Sequence, residues 1–266
     1  MEIKPMLCET LTDITTIDLN DYLVETKMDG ERVVFAYGHL FNRRGIDITK
    51  NFPELKSDFN GKVDGEIVVV DDKLSRIERF SLIQSRTHLK DAFKIGLLVK
   101  KNNVRFMAFD LLEQNNEVIT NYNIEQRKEM LSAAQFNNPF WIKIEYELGC
   151  EKITDVIMLS RETGEEGVIL KKKGSLYENK RSDKWLKLKF KSCVILKFNQ
   201  YEIQPKGLTL CSNEHSHRVV CNGMQSVEVK RMIDTKGYIM AEIEYLDLTP
   251  NGMYRQPTFK KIEAEV

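Results

Sequence analysis

Lys27-Met28-Asp29-Gly30-Glu31-Arg32 sets a lysine at the end of a strand-like run and just ahead of a turn dipeptide. A lysine so placed can aim its amine into a cleft. To act as a nucleophile it must be neutral, and from a reference pKa near 10.4 that state costs about 4–5 kcal/mol at pH 7. Neighbouring cations or a metal lower the cost. Taken by itself, Lys-x-Asp-Gly reads as a surface turn, because Asp-Gly is a strong turn former. Further along, Asp64-Gly65-Glu66-Ile67 opens an apolar strand, Phe106–Leu112 carries Asp110, and Glu165-Glu166 leads into Gly167–Lys171. Lys187 and Lys189 stand two apart in Trp185–Lys189, which puts both ammonium groups on one face of a strand. A nucleophilic lysine, acids on separate strands and two cations on one face would suit a metal-assisted site for a nucleotide phosphate. Each member also has a plain structural reading: Phe109 as a core aromatic, Glu66 as an exposed strand acid, Trp185 as core or rim, Asp110 as a cap or a lysine partner.

The elements that must hold these residues are mixed. Tyr22–Lys27, Arg32–Tyr37, Lys62–Val70, Val104–Leu112 and Gly167–Lys172 read as strands. Glu78–His88, Ile124–Ala134 and Lys152–Glu162 have helical spacing of apolar residues. Strands and helices do not alternate regularly, so the pattern predicts an α+β fold with largely antiparallel sheets. After Lys191 the texture changes. Val194–Ile203, Leu208–Cys211, Val219–Cys221, Tyr238–Leu246 and Thr258–Ile262 are strand-like, with a helix near Gln225–Ile233. Ile239, Ala241, Ile243 and Tyr245 alternate with Glu242 and Glu244, as in a strand with one buried face. Short strands and one helix suit a small barrel such as an OB fold. The expected division is 1–191 and 192–266.

The chain has 266 residues, 42% hydrophobic and 30% charged, which fits one or two cored domains and not disorder. Lys plus Arg and Asp plus Glu each number 40, and the zero net charge excludes a simple polybasic nucleic-acid binder. The balance is uneven. Residues 171–191 hold nine basic and two acidic residues, a local +7, whereas 192–266 hold nine of each. Such a stretch is either one anion-binding site or a solvated lysine-rich hairpin. No apolar run approaches the roughly 18 residues of a membrane-spanning helix, and Met1–Pro5 does not open a secretory signal. The scattered cysteines point to reduced thiols in the cytoplasm. Cys211, His215, His217 and Cys221 offer ligand types that zinc accepts, at a spacing that is no familiar zinc signature.

In order and spacing, the chain resembles the covalent nucleotidyltransferases, and within them the small ATP-dependent DNA ligases. Lys27–Arg32 looks like their motif I, KxDGxR, and the strands at Asp64, Phe106, Glu165 and Trp185 look like motifs III, IIIa, IV and V. Taking each residue type at about one in twenty, four fixed types in one window recur by chance roughly twice in a thousand chains of this length, so five ordered motifs are not coincidence. Phe41–Thr49 with Asn51-Phe52-Pro53, Phe80–Arg86, and Ala241–Tyr245 with Arg255–Phe259 resemble further ligase segments. The resemblance implies an adenylation domain followed by an OB-fold domain, ATP as cofactor with Mg²⁺ or Mn²⁺, and nicked duplex DNA as partner of a monomer. It implies Lys27 as the nucleophile that carries AMP, and Arg32 and Glu66 on the ribose. Phe109 is implied on adenine, with Glu25 helping to hold the base. Arg43 is implied on the nick 5′-phosphate, Glu166 on the metal, and Lys187 and Lys189 on the α-phosphate. One departure stands out. Where ligases carry an RxDK-like motif VI, this chain reads Glu263-Ala264-Glu265-Val266, which predicts slow self-adenylation unless Lys260 or Lys261 substitutes. The alternatives are an RNA ligase, a GTP-using capping guanylyltransferase, and a nick-binding protein with impaired adenylation. The ligase-like segments around Arg43 and Phe80–Arg86 argue against capping, and the intact lysines and acids argue against a mere binder.

Overall fold

The computed structural model describes residues 4–249 and 251–263. The chain divides into two compact units, Met1–Lys189 and Phe190–Val266. In the first unit the elements are β1 (Leu7–Thr10), β2 (Tyr22–Thr26), β3 (Glu31–Ala36), β4 (His39–Asn42), β5 (Gly61–Val69), α1 (Arg76–Thr87), α2 (Ala92–Lys101), β6 (Val104–Gln114), β7 (Glu117–Val118), α3 (Ile124–Ala133), β8 (Trp141–Lys143), β9 (Glu147–Leu148), α4 (Cys150–Glu162), β10 (Gly167–Lys172) and β11 (Arg181–Lys189).

They build two sheets, ordered β1-β11-β10-β2-β9 and β4-β3-β5-β6-β7, with β8 joined to β6. Pairing is antiparallel except for the parallel β1–β11 and β6–β8 contacts, so the α+β reading holds. The second sheet is buried on both faces. Val33 and Phe35 enter a core with Phe106 and Trp141, whereas the intervening Val34 joins Leu23, Phe109 and Trp185 in a core shared with the first sheet. That alternation follows from the two-residue period of a strand.

Helix α1 starts on a capping box: Ser75 Oγ accepts the Glu78 N–H and Glu78 Oε2 accepts the Ser75 N–H, satisfying two orphan donors. Helix α2 is additional to the elements expected from the sequence. Its run Ile95-Gly96-Leu97-Leu98-Val99 lacks a clear apolar stripe, and Gly96 weakens helix propensity.

The second unit comprises β12 (Ser192–Phe198), β13 (Gln200–Gln204), β14 (Gly207–Cys211), β15 (Val219–Asn222), α5 (Met224–Lys236), β16 (Ile239–Tyr245), β17 (Asp247–Leu248), β18 (Tyr254–Arg255) and β19 (Thr258–Ile262). Its sheets are β12-β16-β19, β13-β14-β15 and the pair β17-β18. The single strand expected over Val194–Ile203 is two strands, parted at Asn199, whose N–H donates to the Cys211 carbonyl and whose Oδ1 accepts the Asn213 N–H. Ile239, Ala241 and Ile243 point into a core with Phe198 and Leu210. On the other face Glu242 and Glu244 meet Lys261 and Lys191. No helix among the described residues is long and apolar enough to cross a membrane.

Candidate active site

A cleft of about 580 Å³ opens in the first unit, and Glu25, Lys27, Arg32, Arg43, Glu66, Phe109, Lys187 and Lys189 line it. Glu166 lies behind it, ion-paired to Lys27 and, at 2.7 Å, to Lys189. All nine residues singled out by the motifs thus meet at one place.

Lys27 follows β2, and its N–H donates to the Gly167 carbonyl at 2.9 Å, which fixes the lysine against β10. Gly30 is required three residues later. A Cβ there would stand 2.0 Å from the Ile67 carbonyl oxygen, so only glycine lets the turn lie on β5. The turn's Gly30 N–H donates to Glu66 Oε1 at 2.9 Å, and Asp29 is held by Arg76 of α1 at 3.1 Å.

Carboxylates outweigh the nearby cations at the amine. Burial pulls the Lys27 pKa down, but Glu66 and Glu166 outweigh it and leave the group above the usual lysine range. Without ligands the residue is therefore an ammonium. Burial likewise pushes Glu166 up, yet Lys27 and Lys189 hold it below the ordinary carboxylate range. Glu66 is pushed up to about 6 by burial, against the pull of Lys27 and Arg32. Burial lowers Lys187.

Arg32 is held from both sides. Its guanidinium grips Asp64 in two bonds of 2.6 Å and lies 4.3 Å above the Phe109 ring. Asp64 also accepts the Tyr177 hydroxyl at 2.6 Å, and that oxygen accepts the Met6 N–H at 2.9 Å. Asp64 and Tyr177 are absent from the residues expected at the site. The signal lay in the strand period: Asp64 and Glu66 stand two apart and so share a face.

Glu25 has a different setting from a free base contact. It is buried, accepts Lys171 Nζ at 2.9 Å and is also ion-paired to the buried Lys128. Lys171 sits 4.2 Å over the Trp185 ring and 4.8 Å over Phe109. The cluster forms the cleft's floor. Phe109 is therefore both core and wall, and Trp185 is core. Asp110 pairs with Arg127 through bonds of 2.8 and 3.0 Å, both residues fully buried.

Arg43 is exposed in the turn after β4. Asn42 shapes the turn by accepting the Arg44 and Ile46 N–H groups at 3.0 and 3.1 Å, and Gly45 takes a φ of 76°. Below it Asp47 Oδ1 accepts the Thr49 N–H at 2.8 Å. Gln84 of α1 donates to Glu31 at 3.0 Å, so α1 braces the strand that carries Arg32.

The cationic run 171–191 is not one open patch. Lys171 serves Glu25, Lys189 serves Glu166, Lys191 pairs with Glu244, and Lys180 and Lys184 pair with Glu178 and Asp183.

Residues 264–266 of the altered C-terminal segment lie outside the described residues. Lys260 and Lys261 pair with Glu244 and Glu242, and Glu263 pairs with Lys261 at 2.8 Å. Among the described residues no three His, Cys, Asp or Glu side chains converge on a metal position. Cys221 is buried in the second core, the His215 ring lies tilted against His217, and His217 lies tilted against Tyr254.

A family model described as "ATP dependent DNA ligase domain" matches residues 5–189. A DNA ligase-like protein, LigB, derived from the SPbeta prophage of Bacillus subtilis is 25% identical over 98% of both chains. DNA ligase 4 of Saccharomyces cerevisiae is 32% identical over 69% of this chain, which spans only 21% of that relative's length. Among solved structures, a Lig E DNA ligase superposes with a TM-score of 0.75 at 19% identity, covering 99% of this chain and all of the other; that likeness establishes the shared fold.

Proposed function

The chain belongs to the ATP-dependent DNA ligases, whose family model covers residues 5–189, and from that membership we propose that it seals 5′-phosphate/3′-hydroxyl nicks in duplex DNA, with ATP as the nucleotide and Lys27 as the residue that carries AMP. The observation that carries the reading is the meeting of Lys27, Glu66, Glu166 and Lys189 from four separate stretches of chain around one cleft. In this reading the first unit is the adenylation domain and the second the OB-fold domain of a cytoplasmic monomer.

Lys27 attacks the α-phosphorus of ATP. The lysine's extra proton is first lost to solvent; then a P–N bond forms, the P–O bond to pyrophosphate breaks, and the nitrogen's surplus proton also passes to solvent. Lys187 and Lys189 supply fixed positive charge to the phosphorane, which such a transition state needs most. Phe109 offers its ring to the base, with Glu25 below it, and Arg32 and Glu66 reach the ribose. In the second step an oxygen of the nick 5′-phosphate, held by Arg43, takes the AMP phosphorus and Lys27 leaves, regaining a proton. In the third the 3′-hydroxyl attacks that 5′-phosphate and AMP departs. Arg43 suits its part because a guanidinium fork matches phosphate oxygens.

The donor set fits Mg²⁺ or Mn²⁺. Glu166 is a hard oxygen donor kept ionised by its two lysines, and Mg²⁺ is commonly held by one or two carboxylates together with substrate phosphates. Such an ion would offset phosphate charge, and its arrival at Glu166 would weaken that carboxylate's hold on the Lys27 proton.

The test is adduct formation with labelled ATP, GTP and NAD, each with Mg²⁺, for wild type and Lys27→Ala, followed by addition of a nicked duplex. An ATP-specific adduct that needs Lys27 and vanishes as the nick closes is the expected result. A GTP adduct would move the protein to the capping branch. Nick binding without any adduct, in a preparation whose intact mass shows no bound AMP, would leave a binding protein.

A further inference from the structure

We propose that α2 is a second contact for duplex DNA, beside the Arg43 turn; this rests on the ligase reading and extends it. The outer face of α2 carries Phe93 and Leu97, 75% and 53% exposed, one helical turn apart. Lys94, Lys100 and Lys101 flank them and are exposed, and Lys90 precedes the helix. None of these four ammonium groups has an ion-pair partner among the described residues. At about 100° per residue, Phe93, Leu97 and Lys100 fall within one narrow sector and Lys94 and Lys101 beside it. Ile95 on the opposite side is buried and seats the helix.

The helix is fixed, not a loose arm. Asp91 caps it by accepting the Phe93 and Lys94 N–H groups at 2.9 and 3.2 Å. Asn51 donates to the Arg86 and Leu89 carbonyls at 2.9 and 2.7 Å, tying the approach to α2 to the segment that follows the Arg43 turn. That segment packs on α2 and adds exposed Lys50, while the turn itself adds Arg43, Arg44 and Ile46, the last 53% exposed. The surface thus continues from a group already assigned to the nick phosphate.

Charge complementarity favours a polyanion, and the two apolar side chains say which kind. A helix that only tracked phosphates would need lysines alone, whereas Phe and Leu are the residue types that wedge against sugars and base steps in a minor groove. Ten residues make a helix about 15 Å long, the rise of roughly four base steps. A membrane-surface helix needs a broad apolar face, and two such side chains do not make one.

The experiment uses the full chain and compares wild type with K94Q/K100Q/K101Q and with F93S/L97S. Binding is read on a nicked duplex whose two arms are shortened in turn, and adduct formation from ATP without DNA is the control for folding. The lysine variant is expected to bind the long duplex about tenfold or more weakly with a shallower salt dependence. The apolar variant should bind several-fold more weakly with the salt dependence unchanged. Both effects should vanish when the arm that reaches α2 is removed. Should the apolar double variant fail to form adduct, Phe93→Ser alone carries that arm of the test, its side chain being mostly in solvent. Variants that bind every duplex as wild type does overturn the proposal. So does a loss confined to phosphatidylserine vesicles, which would make α2 a membrane contact. A wild type that forms no adduct and binds no nick sinks the ligase reading itself; a wild type that does both beside indifferent variants sinks only the role of α2.

Discussion

Lys27, the proposed nucleophile, is held as an ammonium by Glu66 and Glu166. Attack needs the neutral amine, so kcat/KM for adduct formation should rise with pH through the alkaline range. Glu166→Gln removes one of the charges that keep the proton, and an opposite charge this close is worth about one to three pKa units. The profile should therefore move toward lower pH, while the plateau rate falls through loss of the proposed metal ligand. A pH–rate series on both proteins checks this; an unmoved profile would mean that the pair does not hold the proton. Tyr177 belongs to the same scale. Its hydroxyl joins Met6 to Asp64 in a buried site, so Tyr177→Phe should cost about 1–3 kcal/mol in urea unfolding. It should also weaken ATP binding by loosening Arg32, whereas equal affinity would restrict Tyr177 to the core.

At the scale of elements, the turn between β2 and β3 decides whether the lysine faces the cleft. Gly30→Ala sets a methyl group against the Ile67 carbonyl, and overpacking of this kind costs about 1–3 kcal/mol or more. Adduct formation should be nearly lost, with a lower Tm; near-normal labelling would mean that the turn has room to move. The site residues themselves could be read from the chain because they sit at strand ends and on strand faces, where a two-residue period reports direction. Glu166, Lys187 and Lys189 are of that kind. What could not be read came from packing between distant segments. Nothing local tells that Lys171 and Lys128 both serve Glu25, or that Arg127 takes Asp110. The break at Asn199 was hidden for a related reason: a run that mixes apolar and polar residues, as Val194–Ile203 does, is compatible with one strand or two, and the hydrogen bonds that end it involve Cys211 and Asn213. Helix α2 escaped because its outward face is itself partly apolar.

For the whole molecule, the balance of 40 basic and 40 acidic residues leaves no net charge to draw in DNA. In the proposed function, affinity for a nick comes from local exposed cations such as Arg43, Arg44 and the lysines of α2. If about six to eight phosphates are neutralised, raising salt from about 50 to 200 mM should weaken binding roughly a thousandfold or more. A filter-binding series over that range measures the slope, and a flat one would rule out so broad a phosphate contact. A different consequence follows from the parallel pairing of β1 with β11, which joins the first and last strands of the first unit. Force applied at the beginning of that unit and at its end would pull these two strands in opposite directions along their length. Their ladder bonds would then bear the load together, in shear, and not be peeled open one at a time. The first unit should accordingly yield at high force in a single-molecule pulling experiment; gradual unravelling at low force would show that β1 strips away alone.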